Sequence, residues 1–376
     1  MRIAIVGCGF VADYYMRTLP NHPHLELLGV ADKVYARAQK FAAYFDTVAY
    51  HHLDELLTDP RVEMVINLTN PRNHYEVTKA ALAAGKHVYS EKPLAMAIDQ
   101  ARELVVEAER RGLRLASAPC SLLGETAQSV WRALRRNKLG KVRLVYAEMD
   151  EGMVYGMPYR AWASESGTPW PYKDEFEVGT TLEHAGYIVP WLCAMFGPAV
   201  TVHAYSACLM PDKVPGEQLD PANAPDFAMG VITFKSGVVA RLTCSLLAPH
   251  DHGLTIVGDT GVLHVEDTWF YNAPITIQRA INIKRRHLKL PWKEKVRLVG
   301  GKGMVYQKRG AQQMDFFRGP AELADAIREK RPARLSARFS LHINELVLAI
   351  SQAGLQQGVY RMTTTFDPVE PMPWSK

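Results

Sequence analysis

The chain has 376 residues, of which 22% are charged and 48% are hydrophobic. This composition is typical of a globular protein and excludes a collagenous, low-complexity or disordered chain. At roughly 150 residues per domain the length predicts two domains, which we place at residues 1–120 and 121–376. No apolar run reaches the roughly 18 residues of a membrane-spanning helix, so no membrane partner is expected.

The amino terminus and the cysteines indicate the compartment. Residues 1–10 form a short apolar segment without the basic leader and cleavage site of a signal peptide. The five cysteines include no C-x-x-C pair, so neither a disulfide framework nor a zinc cluster is predicted. We therefore expect a cytoplasmic protein with reduced thiols and no bound metal.

The first 120 residues alternate short β-branched runs with helical segments. We predict strands at residues 2–6, 25–31, 64–68, 87–90 and 114–116, and helices at residues 11–19, 35–44, 74–84 and 98–111. Parallel strands need long crossovers, which pack as helices on both faces of the sheet. This part is therefore expected to be an α/β Rossmann fold with a doubly wound parallel sheet.

After residue 120 the pattern changes to short strands joined by short turns, which is typical of antiparallel pairing. We predict strands at residues 142–149, 201–206, 227–235, 238–245, 253–257 and 262–266, and helices at residues 122–136, 179–196, 312–330 and 340–353. Residues 151–177 show no periodicity and are expected to form a long ordered loop. The second domain is therefore predicted to be an α+β fold with a mostly antiparallel open sheet and helices on one side.

Between Arg279 and Arg309 the chain has 11 Lys or Arg residues and one acid, Glu294. The basic residues alternate with Ile, Leu and Val, which favours a solvated strand face. A substrate phosphate is the alternative partner, because Lys and Arg pair with phosphate oxygens. No helix-turn-helix, zinc finger or aromatic RNA platform occurs, so no nucleic-acid partner is expected.

A glycine-rich turn follows the first predicted strand and opens the first helix. It reads G-x-G-x-x-A and consists of Gly7, Cys8, Gly9, Phe10, Val11 and Ala12. Gly7 allows a tight turn, Gly9 lets backbone N–H groups approach a pyrophosphate, and Ala12 permits close packing of helix on strand. Because the amino terminus of a helix also attracts anions, we predict a dinucleotide-binding site here.

Asp32 stands at the end of the second predicted strand, 23 residues beyond Gly9. Its carboxylate can accept hydrogen bonds from ribose hydroxyls but repels a 2′-phosphate. NAD is therefore the expected cofactor. NADP stays possible, because Lys33 and Arg37 follow closely and either could offset the acid.

A lysine stands at the carboxyl end of the predicted strand 87–90, in the sequence Ser90-Glu91-Lys92-Pro93. Ligands of doubly wound sheets bind beyond the carboxyl ends of the strands, so Lys92 is expected in the crevice of the cofactor. The proline restricts Lys92 to an extended backbone, which aims its side chain. A solvated ammonium at a loop corner is the alternative.

Taken together, these features resemble the Gfo/Idh/MocA family of glucose–fructose oxidoreductase, inositol dehydrogenase and rhizopine catabolism. The turn at 7–12, the tripeptide Glu91-Lys92-Pro93, the stretch 69–74 and the following antiparallel domain carry the resemblance over nearly the whole chain. It implies that Lys92 is catalytic, that the substrate is a sugar or cyclitol, and that subunits pair into a dimer or tetramer. It further implies nicotinamide-side contacts from Thr69, Asn70, His74 and Glu91.

The family's second motif is a glycine-led helix with Asp and, four residues later, an acid–base His. In the stretch Gly179 to Tyr187, Glu183 takes the Asp position and Tyr187 the His position, which is a departure from the family. Residues at i and i+4 share one face of a helix. His184 is expected about 100° around the helix from Glu183.

The residues suggest alcohol oxidation, in which a hydroxyl loses a proton as its carbon loses a hydride. Tyr187 could take the proton if Lys92 favours its phenolate, with Glu183 orienting the pair. His184 is the competing base. We predict an NAD(P)-dependent dehydrogenase for a secondary hydroxyl of a sugar, sugar derivative or cyclitol. A redox-neutral lyase or glycosidase that acts through a transient keto sugar, or an NAD-binding regulatory protein, is the alternative.

The stretch 162–175, just before this motif, combines aromatic, hydroxyl and carboxylate side chains. Aromatic faces cover the C–H patches of sugars, while polar groups pair with their hydroxyls. We predict a carbohydrate pocket lined by Trp170, Tyr172, Lys173 and Asp174. An ordered structural loop is the alternative for each of them.

Overall fold

The computed structural model describes residues 1–300, 314–353 and 358–376, without the side chain of His287. Contacts divide the chain into two compact units. The first unit comprises Met1–Cys120, Pro158–Val178 and Asp315–Glu345, and the second comprises Ser121–Met157, Gly179–Met314 and Leu346–Lys376. The first unit therefore includes two segments that follow residue 120 in the sequence.

The first unit is built on a five-stranded parallel sheet with the order β2-β1-β3-β4-β5. Its strands are β1 (Arg2–Val6), β2 (Glu26–Ala31), β3 (Met64–Asn67), β4 (His87–Ser90) and β5 (Leu115–Ser117). The crossover helices are α1 (Phe10–Thr18), α2 (Tyr35–Phe45), α3 (Leu53–Thr58), α4 (His74–Ala83) and α5 (Ile98–Arg110). The doubly wound Rossmann prediction is confirmed, although it did not include the short helix α3.

The remaining helices are α6 (Glu125–Arg135), α7 (Tyr172–Val178), α8 (Thr180–His184), α9 (Val189–Phe196), α10 (Arg318–Arg328) and α11 (Ala337–Ser351). Within the described residues, no helix combines the length and the apolarity that crossing a bilayer requires.

The second unit contains a nine-stranded sheet with the order β13-β12-β11-β10-β6-β9-β8-β7-β14. Its strands are β6 (Val142–Asp150), β7 (Ala199–Ala207), β8 (Phe227–Phe234), β9 (Val239–Ser245), β10 (Leu254–Gly258), β11 (Gly261–Val265), β12 (Ile275–Ile283), β13 (Arg286–Lys295) and β14 (Tyr360–Arg361). All neighbours are antiparallel except β6 and β9. Burial alternates along β7, β8 and β9, so one face of the sheet is covered. The prediction of a mostly antiparallel second sheet is confirmed.

The basic stretch forms the hairpin of β12 and β13, and β13 is an edge strand of the sheet. Residues 281–286 and 291–295 are exposed, as expected for a solvated strand face. Charged side chains on an edge strand oppose edge-to-edge association. Residues 301–309 of this stretch lie outside the described residues, as do the first two residues of the helix predicted at 312–330.

The expectation of one long loop at 151–177 is wrong at its end, because residues 172–178 form α7. Pro171 precedes this helix, and Asp174 and Glu175 occupy its first turn, where acids stabilise a helix. Buried Phe176 and Val178 fix it against the protein. The preceding Trp- and Pro-rich residues hide this short pattern in the sequence.

The expectation of one helix at 179–196 is also wrong. The structure has α8, a 3-10 turn over Ala185–Tyr187 and then α9. Pro190 lacks a backbone N–H and lies in the first turn of α9, so it cannot continue the hydrogen-bond ladder from the preceding turn, and the run is broken there. Glu183 and Tyr187 therefore do not share one face of a continuous α-helix.

Candidate functional site

The glycine-rich turn has the geometry of an anion cradle. Gly7 has φ +99°, and a Cβ there would lie 2.6 Å from the carbonyl carbon and oxygen of Leu68, so only glycine fits. A Cβ on Gly9 would meet nothing within 4 Å, so the space above its backbone is open. Gly9 is the N-cap of α1 and makes no side-chain capping bond. The turn therefore fits a pyrophosphate held by backbone N–H groups.

The other residues of the turn surround this cradle. Ala12 is fully buried where the helix meets the sheet, while Phe10 and Val11 are half-buried. Cys8 is also fully buried, and burial raises the pKa of its thiol, which is therefore neutral. Cys8 thus acts through its backbone, as a binding turn requires.

Asp32 is held beside the turn by two backbone donors. Its Oδ2 accepts a hydrogen bond from the N–H of Cys8 at 2.9 Å, and its Oδ1 accepts one from Val34 at 2.8 Å. Arg37 lies 3.4 Å from Oδ1, and Lys33 is exposed. Asp32, the predicted acceptor for the ribose hydroxyls, is thus oriented at the turn. The positive charge of Arg37 partly offsets the charge of its carboxylate.

The loop after β3 is organised by the buried side chain of Asn67. Its Oδ1 accepts hydrogen bonds from the backbone and hydroxyl of Thr69 at 3.2 and 2.7 Å. Its Nδ2 donates to the carbonyl of His74 and to Thr78 Oγ1, both at 3.1 Å. Thr69 is therefore fixed at the carboxyl end of β3, adjacent to β1.

His74 joins this loop to the loop after β4. Its ring nitrogens lie 2.6 Å from the carbonyl oxygen of Pro93 and 2.8 Å from that of Thr69. Carbonyl oxygens only accept, so bonding to both requires a hydrogen on each ring nitrogen. The histidine predicted as a cofactor contact thus positions both loops.

Lys92 is half-buried and stands between two anchored neighbours. Glu91 accepts hydrogen bonds from Tyr15 Oη at 2.7 Å and from the N–H of Lys92 at 2.9 Å. Burial, together with Glu91, holds the pKa of Tyr15 well above its usual range, so Tyr15 remains a donor. The Lys92–Pro93 peptide bond is cis. Because Tyr15 lies on α1, the lysine loop is tied to the helix that starts at the glycine turn.

The predicted carbohydrate residues lie in the first unit. Asp174, on α7, accepts a hydrogen bond from Asn70 Nδ2 at 3.2 Å. Trp170 lies 5.0 Å from Trp162 and Tyr172 lies 5.2 Å from Tyr159, measured between ring centroids, so both belong to an aromatic cluster. Lys173 is exposed. The structure thus places Asp174 at the loop after β3, and the two aromatic residues pack within their own segment.

This segment is anchored to α1 by a contact that the sequence did not reveal. The fully buried carboxylate of Asp13 accepts hydrogen bonds from the backbone and hydroxyl of Ser166 at 2.7 and 2.9 Å. Arg72 and Glu177 add an ion pair at 3.3 Å. The glycine turn, the loop after β3 and the segment 158–178 therefore form one connected region.

The second unit brings Tyr187 and His184 to a cluster around Trp269. Tyr187 is buried, and its ring stacks on Trp269 with centroids 4.0 Å apart. His252 lies in a second stack with Trp269, at 5.1 Å. His184 Nδ1 lies 3.1 Å from the carbonyl oxygen of Thr180, and its Nε2 lies 3.7 Å from Glu151 Oε1. Glu183, predicted to orient the pair, is buried in the same turn.

Buried charges surround this cluster. Burial disfavours the charged form of Glu151, but His184 and His252 outweigh it and hold the pKa of its carboxyl below the usual value. Burial lowers the pKa of His252, yet the neighbouring carboxylates of Asp267 and Glu151 raise it to about 9. Burial, with help from Glu148 and Asp251, raises the pKa of Asp150 to about 6. Shifted acids and bases of this kind are common at functional sites.

Sequence reasoning missed Glu151, His252, Asp267 and Trp269. They come from the end of β6, the loop before β10 and the loop after β11, which only the fold brings together. The spacing His250-x-His252 was the one available signal, because it repeats a metal- or proton-binding side chain at i and i+2. The arrangement offers acid, base and aromatic groups to a polar ligand.

Comparison with known proteins identifies relatives of both parts of the chain. Residues 1–118 match the model of an oxidoreductase family with an NAD-binding Rossmann fold, and residues 127–264 match the GFO/IDH/MocA C-terminal domain. An uncharacterized oxidoreductase of Synechocystis sp. is 28% identical over 70% of this chain and 71% of its own. The trans-1,2-dihydrobenzene-1,2-diol dehydrogenase of Sus scrofa is 24% identical over 83% of this chain and 88% of its own.

Solved structures share the fold. The UDP-N-acetylglucosamine 3-dehydrogenase of Acidithiobacillus ferrooxidans has a TM-score of 0.69 and 21% sequence identity. The alignment covers 95% of this chain and 99% of that one. The likeness therefore extends over both units.

Proposed function

The chain belongs to the Gfo/Idh/MocA family of NAD-binding oxidoreductases, and from this premise we propose that it is an NAD(P)-dependent dehydrogenase. Its substrate is a ring compound with a secondary hydroxyl, of the class of sugars, sugar derivatives and cyclitols. The fold neighbour that acts on UDP-N-acetylglucosamine supports this class. The relative named trans-1,2-dihydrobenzene-1,2-diol dehydrogenase, whose substrate is a ring with two neighbouring hydroxyls, also supports this class.

The observation that carries the proposal is the anchoring of Lys92. The strands β1, β3 and β4 are neighbours in one parallel sheet, so the glycine turn, the loop with Thr69 and the lysine loop leave the same edge. Glu91, bound by Tyr15, accepts the N–H of Lys92, and His74 contacts the carbonyl of Pro93 on the other side. This anchoring favours a catalytic role for Lys92 over the alternative of a solvated ammonium at a loop corner.

A bound nicotinamide supplies the acceptor or donor of a hydride. The chain's own residues handle the proton. Lys92, as an ammonium, stabilises the oxygen of the reacting hydroxyl, and Tyr187, as a phenolate, takes the proton from that oxygen and becomes a neutral phenol. Both ring nitrogens of His184 face oxygen atoms of their own unit, which supports Tyr187 as the base. Glu183 and His184 then position the turn that carries Tyr187.

NAD is the proposed cofactor, because Asp32 is oriented at the glycine turn and would repel a 2′-phosphate. A fluorescence titration with both reduced cofactors tests this choice. We expect tighter binding of NADH than of NADPH, and an increase of NADPH affinity in Asp32→Ser. Tighter binding of NADPH by the unaltered chain would reverse the assignment.

The activity is tested by incubating the protein and NAD with a panel of sugars, nucleotide sugars, cyclitols and trans-dihydrodiols while following the absorbance of reduced nicotinamide. A dehydrogenase accumulates NADH with at least one compound. A transient signal with substrate consumed would instead identify a redox-neutral lyase or glycosidase. Cofactor binding without reduction by any compound would favour a regulatory protein.

We also propose that a second copy of the chain covers the exposed sheet face, giving a dimer or tetramer in the cytoplasm. Tyr205 and Met229 are cross-strand neighbours on β7 and β8, and both are exposed, Tyr205 by 56%. Exposed apolar side chains on neighbouring strands are typical of an interaction face. Light scattering should show an oligomer that Tyr205→Glu converts to smaller species, and a monomeric unaltered chain would refute the pairing.

A further inference from the structure

We propose that the second unit binds one divalent transition-metal ion between His250, His252 and Asp267. Each of these residues offers one ligand atom, and the three atoms lie within 4.8 Å of one another. His252 and Asp267 are buried, whereas His250 is exposed. The site does not depend on the proposed dehydrogenase activity, because none of its ligands is assigned to that reaction.

The buried ring of His252 points to a bound ion. Its Nε2 lies 3.0 Å from Glu151 Oε1, close enough to donate a hydrogen bond to that carboxylate. Its Nδ1 is buried and has no hydrogen-bond partner among the described residues, and its side chain is only 2% exposed. A carboxylate that accepts one ring N–H fixes the tautomer and leaves the other nitrogen as a metal ligand. Glu151 and His252 have this arrangement.

Each of the two histidines lies close to one oxygen of the Asp267 carboxylate. His250 Nε2 lies 3.4 Å from Asp267 Oδ2, and His252 Nδ1 lies 3.7 Å from Asp267 Oδ1. Two ligands about 2.0–2.1 Å from a tetrahedral zinc ion are separated by about 3.4 Å. The N–H of Trp269 donates to Asp267 Oδ1 at 2.7 Å and so orients the carboxylate.

The donor set indicates the class of ion. Two imidazoles and one carboxylate favour Zn²⁺ and its neighbours among the transition metals over Mg²⁺ or Ca²⁺, which prefer all-oxygen sites. The exposed side of His250 leaves a coordination position open to solvent. An ion here would join the loop before β10 to the loop after β11, and Trp269 on the latter loop stacks on Tyr187. We therefore assign the ion a positioning role for the Trp269 loop.

The test uses the full chain without a histidine tag, stripped with a chelator and dialysed. Zn²⁺ is titrated in competition with a chromophoric chelator, and Co²⁺ is added separately to record the absorption bands of four-coordinate cobalt. We expect one ion per chain and the cobalt bands. His250→Gln and Asp267→Asn should each weaken Zn²⁺ binding at least tenfold, and Glu151→Gln should weaken it by about 10–100-fold.

His250→Gln is the decisive variant, because this side chain is 56% exposed and its replacement leaves the core intact. The double variant His51→Gln, His52→Gln is the matched control, since it removes an adjacent pair of exposed histidines in the first unit. The control should bind Zn²⁺ as the unaltered chain does. Absence of binding, binding unchanged in His250→Gln, or binding lost in the control would each overturn the proposal.

Discussion

The two candidate regions are built in different ways. In the first unit, the cofactor turn and Lys92 follow strands β1 and β4 of one parallel sheet, and hydrogen bonds such as those of Cys8 to Asp32 and of Lys92 to Glu91 complete them. In the second unit, the cluster around Trp269 draws on three separate loops and carries several buried charges. The first region thus depends on backbone geometry, and the second depends on electrostatic balance. Substitutions should therefore affect the two regions differently.

Lys92 should show the largest effect of any substitution. Lys92→Met removes the ammonium, and we expect hydride transfer to fall by about 10²–10⁴-fold, the usual contribution of a positioned acid or base. Cofactor affinity should stay nearly unchanged. Single-turnover reduction of NAD and a cofactor titration measure the two quantities separately. Lys79→Met, which alters an exposed lysine paired with Glu103, is the control and should leave both unchanged. Unchanged turnover in Lys92→Met would remove this lysine from the mechanism.

The two glycines of the turn should separate folding from binding. Gly7→Ala adds a Cβ against the Leu68 carbonyl at a left-handed φ, so we expect a loss of about 2–5 kcal/mol in the free energy of unfolding. Gly9→Ala meets only open space and should change stability by less than about 1 kcal/mol. Its cofactor affinity should nevertheless fall at least tenfold. Chemical denaturation measures the stability of both variants, and a cofactor titration measures their affinity. Unchanged cofactor binding by Gly9→Ala would contradict the assignment of the glycine turn as the pyrophosphate site.

Tyr15 should show how firmly the lysine loop is tied to α1. Tyr15→Phe leaves a buried oxygen of Glu91 without this donor, which costs about 1–3 kcal/mol of stability. We expect kcat to fall more than the cofactor Kd rises, because the tyrosine acts through Glu91 on the Lys92 backbone. Tyr14→Phe, one residue earlier on the same helix, is the matched control. If both variants lose equal stability and activity, the bond from Tyr15 to Glu91 has no special role.

Asp150 should reveal the electrostatic balance of the second region. Burial, with Glu148 and Asp251, raises its pKa to about 6, and its Oδ1 has no hydrogen-bond partner among the described residues. An acid whose folded pKa exceeds its unfolded value destabilises the fold increasingly as the pH rises through both values. Asp150→Asn should therefore stabilise the protein at pH 8 by about 1–2 kcal/mol after allowance for solvent screening, and little at pH 4.

Thermal unfolding at both pH values, with a chelator present, measures this difference. Asp259→Asn provides a control of opposite sign, because a hydrogen bond from Arg143 lowers the pKa of the Asp259 carboxyl. That variant should lose stability at pH 8 and be neutral at low pH. Equal stabilisation of Asp150→Asn at pH 4 and pH 8 would show that Asp150 carries no unfavourable charge in the fold.

The same contrast explains what could be predicted from the sequence. The strands of the first unit are continuous buried runs bounded by turn residues, and the glycine turn is a local pattern, so both were predictable. Helix α7 and the break at Pro190 were not predicted, because short helices have weak periodicity and tertiary contacts decide them. His252 contacts Glu151, which lies 101 positions away in the sequence, and no local pattern specifies such a contact.

Once a substrate has been found, the pH dependence of kcat/KM tests most directly whether Tyr187 is the base of the reaction. The unaltered protein and His184→Asn should both show a limb at which activity rises as a catalytic base loses its proton. Tyr187→Phe should lose that limb together with most of its rate, while Lys92→Met should shift the limb to higher pH at a much lower rate. A limb that persists in Tyr187→Phe and vanishes in His184→Asn would contradict the proposed role of Tyr187 and transfer it to the histidine.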